Sequence, residues 1–140
     1  MADRSMLLPV IALVLWTFVM WSWMYLTRIP AIMRMRMKLD PQAPRGAQMA
    51  ELPAEVRWKA DNYNHLFEQP TLFYAVGITG ALLGPVSTVD LGLAWAYVGL
   101  RVIHSLVQAT INKIEVRFAL FFLSSLVLLA MSVRVLLALL

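Results

Sequence analysis

YVGLRVIHSLVQ, residues 97–108, sets Arg101 and His104 inside an otherwise apolar run. On a helix advancing about 100° per residue, Asp90, Tyr97, Arg101, His104, Gln108 and Asn112 fall within an arc of roughly 80°. The rest of that helix is mostly Leu, Val, Ile, Ala, Gly and Trp. A charged side chain at bilayer depth costs at least about 2.5–3.5 kcal/mol, so such a stripe must find partners or line a polar cavity.

The surrounding composition is that of a membrane protein. Of the 140 residues, 61% are hydrophobic and 14% charged, against roughly half and a quarter in soluble domains. No cysteine is present, which excludes disulfides, thiolate metal sites and a cysteine nucleophile. His65 and His104 are too few for a metal centre, and no carboxylate–histidine spacing resembles one. The net charge of +4 is concentrated: Arg28, Arg34, Arg36, Lys38, Arg45, Arg57 and Lys59 all lie between the first two apolar segments. A basic patch flanking membrane spans reads as a cytoplasmic, positive-inside loop rather than a nucleic-acid site.

Outward from the opening stretch, the pattern predicts an all-α, up-down integral membrane bundle of four helices. They run over about 6–27, 54–83, 88–112 and 116–140, within one domain of residues 1–140. The first ends in an interfacial cluster of Trp21, Trp23 and Tyr25 and is too long for a signal-peptide core. Pro30, Pro41, Pro44 and Pro53 make 28–56 a loop with one interfacial turn at 31–38. Pro70 is expected to kink the second helix, and Gly77, Gly80, Ala81 and Gly84 give it a close-packing seam. Ser87 or Thr88 caps the third helix, and Arg134 is a snorkelling anchor near the end of the fourth. Both termini then share one side of a multi-pass protein, placed in the inner membrane if the cell is bacterial. The basic loop and the Lys113–Arg117 turn share the cytoplasmic side.

The second helix carries its own polar stripe. Arg57, Asp61, Asn64 and Glu68 share one face, with His65 just off it, and this stripe is expected to face the first. One reading is structural: Glu68 or Asp61 neutralises Arg101, while His104 and Gln108 are hydrogen-bonding glue. The other is a pocket for an anionic or zwitterionic ligand, because each stripe has more polar groups than one ion pair requires. No phosphate-cradling loop, nucleophile elbow or zinc motif accompanies them.

With both stripes in view, the chain resembles the MAPEG family, membrane-associated proteins in eicosanoid and glutathione metabolism, along nearly its whole length. Family members place an arginine, a histidine three residues later and a second arginine where the fourth helix begins; these match Arg101, His104 and Arg117. The helix-two pattern matches more loosely, through Glu55, Arg57, Ala60, Asn64, Glu68 and Pro70. Asn64 and Glu68 stand one residue further apart than in the family, and Gln108 replaces a tyrosine of several members. The resemblance implies a homotrimer that binds glutathione between subunits as co-substrate and takes a hydrophobic small molecule or lipid from the bilayer. It implies a transferase or peroxidase, or alternatively a lipid-peroxide isomerase; a non-enzymatic scaffold of the same fold is the other alternative. Arg117 would stabilise the thiolate, and Arg57, Asn64, Glu68, Tyr97, Arg101, His104, Gln108 and Lys113 would bind the tripeptide.

Overall fold

The computed structural model of the chain describes residues 3–140, which form helices and turns with no strand among them. After a single 3-10 turn at Arg4–Met6, α1 runs over Leu7–Arg34 and α2 is the short Ala47–Ala50. The remaining helices are α3 (Ala54–His65), α4 (Gln69–Leu82), α5 (Thr88–Thr110) and α6 (Ile114–Leu139).

Two of these boundaries differ from expectation. Pro30 does not end α1, which continues to Arg34. A proline there removes only one backbone donor near the helix end, and the residue lies on an exposed face. The stop comes one turn later. Arg36 adopts a left-handed φ of 51°, Arg36 N–H bonds Met33 C=O at 3.1 Å, and Met37 N–H bonds Ile32 C=O at 3.2 Å. That pair of bonds is a Schellman stop.

The second difference bears on the site. The helix expected over 54–83 is two helices, interrupted at residues 66–68. Glu68 leaves helical geometry with φ −90° and ψ −99°, and Pro70 sits in the first turn of α4. A proline interior to a helix clashes with the preceding turn, whereas in a first turn its missing N–H costs nothing. Pro70 therefore acts as a restart signal rather than a kink.

Contacts at the helix ends set the chain direction. Asp3 N–H donates to Ala81 C=O at 2.9 Å, joining the start of the chain to the end of α4. Lys59 Nζ stands 5.4 Å from the ring centre of Trp23, so α1 runs antiparallel to α3 and α4 in succession. Asp90, near the start of α5, pairs with Arg134 near the end of α6. Arg134, expected as an anchor, is observed as an ion-pair partner, and Asp90 belongs to this pair rather than to the site.

The core is narrow and the exterior greasy. Leu13, Met20, Phe73, Ala94 and Tyr97 have no exposure at all, and Phe73 stacks on Tyr97 with ring centres 4.5 Å apart. Outside, Leu8, Leu26, Phe118, Leu129 and Leu137 are each more than half exposed. An apolar surface this extensive suits lipid rather than water. Two stretches, Arg4–Arg34 and Ile114–Leu139, are long and apolar enough to cross a membrane.

Two features of this frame are directly testable. A Cβ added at Gly77 would lie 2.7 Å from Val10 Cγ2, on a β-branched side chain with little freedom to move. Gly77→Ala is expected to lower stability by about 1–3 kcal/mol, with Val10→Ala in the same chain recovering part of it in thermal unfolding. At the N-terminus, Asp3 accepts from Val86 N–H and Ser5 N–H, both at 2.9 Å. These bonds, Val86 first, hold its carboxyl below the usual carboxylate range. The folded pKa is depressed, so the stabilisation is complete above the unfolded value and lost as pH falls through the folded one. Thermal scans should separate the native chain from Asp3→Asn at neutral pH, the gap closing once pH falls below about 3.8.

Candidate functional site

Arg101 is the largest side chain with no exposure, and it lies among Tyr97, His104, Ser105 and Gln108 on the buried face of α5. Ser87 starts that helix by accepting Asp90 N–H at 3.1 Å, which fixes the phase of the stripe four turns ahead of Arg101. Arg101 Nη2 donates to His65 Nδ1 at 3.0 Å, and its guanidinium carbon lies 5.9 Å from the ring centre of Phe121. A guanidinium can only donate, so His65 Nδ1 accepts and the ring proton of the neutral imidazole sits on Nε2. Nε2 in turn faces Glu68 Oε2 at 3.7 Å.

His65 takes the place expected for the second stripe. Arg57, Asp61, Asn64 and Glu68 are all exposed, while Ala60, Asn62 and Leu66 are buried and His65 is half-buried. The expectation that the two stripes face each other is corrected: the α3 stripe looks outward. Amphipathicity explains it, because Val56, Tyr63 and Leu66 lie on the side away from that stripe and turn their own face toward the bundle. Neither Glu68 nor Asp61 forms an ion pair with Arg101. Among the described residues the ion pair is Asp90–Arg134, while the neutral His65 meets Glu68 only as a long polar contact at 3.7 Å.

His65 and His104 stack with ring centres 5.0 Å apart and planes 24° from parallel. Beside them opens a cavity of about 360 Å³ lined by His65, His104, Ile114, Arg117, Phe118 and Phe121. Arg117 and Phe121 reach it from successive turns of α6, His104 from α5 and His65 from the end of α3. Two imidazoles, one guanidinium and an aromatic wall meet there, and no carboxylate lines it. Arg117 Nη1 donates to Asn112 Oδ1 at 2.6 Å. The chemistry on offer is that of an anion-binding pocket with an apolar flank.

The other sequence-derived residues are distributed around this cavity. Tyr97 is buried, and its hydroxyl donates to Gln69 Oε1 at 3.2 Å; Gln69 Nε2 then donates to Ser125 Oγ at 2.7 Å. Gln108 is buried with Oε1 unpartnered, as are Arg101 Nε and Nη1, His104 Nδ1 and Ser105 Oγ. Lys113 is the exposed residue immediately before α6. Arg57 and Asn64 line a different cavity of about 410 Å³, together with Arg28, Arg45 and Asp61. Within one chain, then, Arg101, His104 and Arg117 come together and Arg57 and Asn64 do not join them. His65, Asn112 and Phe121 were missed as site residues. Two of them left a trace in sequence: His65 as a polar residue just off the α3 stripe, and Asn112 as the last member of the α5 stripe.

Because His65 is the one acceptor that meets Arg101 among the described residues, its loss should register in stability. His65→Phe, which retains an aromatic ring against His104, is expected to cost about 1.5–3 kcal/mol, the range for a hydrogen bond to a charged group. Thermal or denaturant unfolding in a lipid-like environment reads this.

Neither a curated protein nor a solved structure matches the chain. The model of the MAPEG family does, over residues 6–137. The matched stretch takes in α1 to α6 almost entirely, including every residue of the Arg101–His104–Arg117 cluster. By that match, and by the apolar helices around the cluster, this is a membrane protein belonging to the MAPEG family.

Proposed function

We propose that the protein is a membrane-embedded, glutathione-dependent transferase or peroxidase acting on hydrophobic electrophiles or hydroperoxides. The observation that carries this reading is the cavity in which Arg117 stands beside two imidazoles and an aromatic wall without a carboxylate. Arg117 lies in the first turn of α6, where its N–H makes a bond to Lys113 C=O at 3.0 Å. A cation at a helix N-terminus is disfavoured by about 0.3–1 kcal/mol, and a bound anion reverses that sign for both the arginine and the helix end. Glutathione thiol is mostly protonated at neutral pH, and a neighbouring guanidinium favours the reactive thiolate. Phe118, at the rim of the same cavity, is among the most exposed apolar residues and gives a greasy acceptor a way in from lipid.

In this reading Tyr97, Arg101, His104 and Gln108 form the polar wall behind the ligand. Arg57, Asn64, Glu68 and Lys113 face outward, and we assign them to glutathione across a subunit boundary, in a homotrimer of four-span chains. What supports this assignment for Glu68 is its side chain, 70% exposed at the edge of the His65 cluster and open to a group from a neighbour. The protein is then a multi-pass membrane protein with its basic loop in the cytoplasm. A scaffold that merely locked helices together would satisfy its polar core. This core instead leaves Arg101 Nε and Nη1, His104 Nδ1 and Gln108 Oε1 buried and unpartnered.

Arg117→Ala is expected to retain much of the glutathione binding while the bound thiol's pKa rises by about 1–2 units, the effect of removing one close cation. Titration of ultraviolet thiolate absorbance against pH, beside calorimetric binding, separates the two quantities. An unchanged thiol pKa in a folded Arg117→Ala protein would remove Arg117 from the chemistry.

A further inference from the structure

Asn112 does two things at once where α5 gives way to α6. Its backbone holds a left-handed φ of 52°, and its N–H closes the end of α5 on Val107 C=O at 2.7 Å. Its side chain, free of any role in that turn, reaches across the junction so that Oδ1 accepts Arg117 Nη1 at 2.6 Å. Glycine meets a left-handed position with less steric cost than asparagine, so the turn alone does not call for the amide. The close of α1 makes the same point, since Arg36 holds a nearly equal φ of 51° there.

Arg117 depends on that amide. No carboxylate lies within ion-pairing distance of it among the described residues, and its Nε is buried without a partner. Among the described residues the bond to Asn112 is the one side-chain hydrogen bond that fixes its guanidinium. An uncharged acceptor orients the guanidinium and leaves its full positive charge for a ligand, whereas an aspartate at the same position would cancel it.

We propose that Asn112 is the positioning residue for Arg117, holding its guanidinium at the cavity as a charged but otherwise unengaged group. The inference rests on the glutathione reading of that cavity, and concerns how the thiolate is stabilised rather than whether glutathione binds.

The test is the pKa of bound glutathione thiol, from thiolate absorbance against pH, in the full-length protein reconstituted in nanodiscs. Asn112→Gly keeps the left-handed turn and removes the acceptor. Its thiolate fraction at neutral pH is expected to fall severalfold, with glutathione affinity by calorimetry within about twofold of the native value. In an Arg117→Ala background the same substitution should shift the thiol no further, because residues acting as one unit are not additive. A native thiol pKa in folded Asn112→Gly, or an additive shift in the double variant, overturns the assignment. If the glycine variant does not fold, Asn112→Asp decides. Its carboxylate pairs with Arg117, so the thiol should titrate near the Arg117→Ala value, and a native titration there also overturns the assignment. A native protein that forms no bound thiolate contradicts the glutathione reading itself and takes this inference with it.

Discussion

A guanidinium with no exposure, Arg101, is the constraint around which the other elements are arranged. Leaving such a charge in an apolar interior without partners is expensive enough that the surrounding helices must supply acceptors or π faces. One helix cannot do so, because α5 has only its own small polar stripe. His65 comes from α3 and Phe121 from α6, and both must reach the same level of α5. His65 is the last residue of α3, and the interruption that follows lets the chain bend away before Pro70 starts α4. The break in the second apolar segment and the buried arginine are thus two sides of one packing solution.

From this centre the molecule divides into two ends of different character. At one, Asp3, Ser87, Asp90 and Arg134 tie helix termini together with hydrogen bonds and an ion pair. At the other, Arg28, Arg57, Lys113 and Arg117 gather positive charge, and none of them forms an ion pair among the described residues. Polar atoms between the two ends are buried but incompletely satisfied. That gradient, from paired charge to unpaired positive charge, gives the basic end an attraction for anions that the other end lacks. The cavity of Arg117, His65 and His104 lies on the way from the basic end to the lipid-facing aromatics.

Much of this was legible in the sequence, for identifiable reasons. The α5 stripe could be read because apolar residues fill most other directions of that helix, leaving no competing stripe. The Arg101, His104 and Arg117 spacing carried the family resemblance, and the family match covers those residues. The orientation of α3 could not be read from its polar residues alone. Arg57, Asp61, Asn64 and Glu68 looked like a counterpart stripe, yet Val56, Tyr63 and Leu66 decide which way the helix turns. Pro30 and Pro70 show a second limit. The same residue is absorbed by one helix and starts another, according to whether a neighbouring turn must accommodate its ring. Asn112 was visible as a polar break, but its hydrogen bond to Arg117 depends on a left-handed backbone that no spacing rule reveals.

The central claim is that the cavity beside Arg117 takes glutathione and holds it as the thiolate. Glutathione titrated into the reconstituted native protein, followed by thiolate absorbance across pH, tests it most directly. Saturable absorbance that persists well below the pH at which free glutathione ionises is the result the account predicts. Absence of saturable binding at millimolar glutathione, in protein shown to be folded, would contradict it.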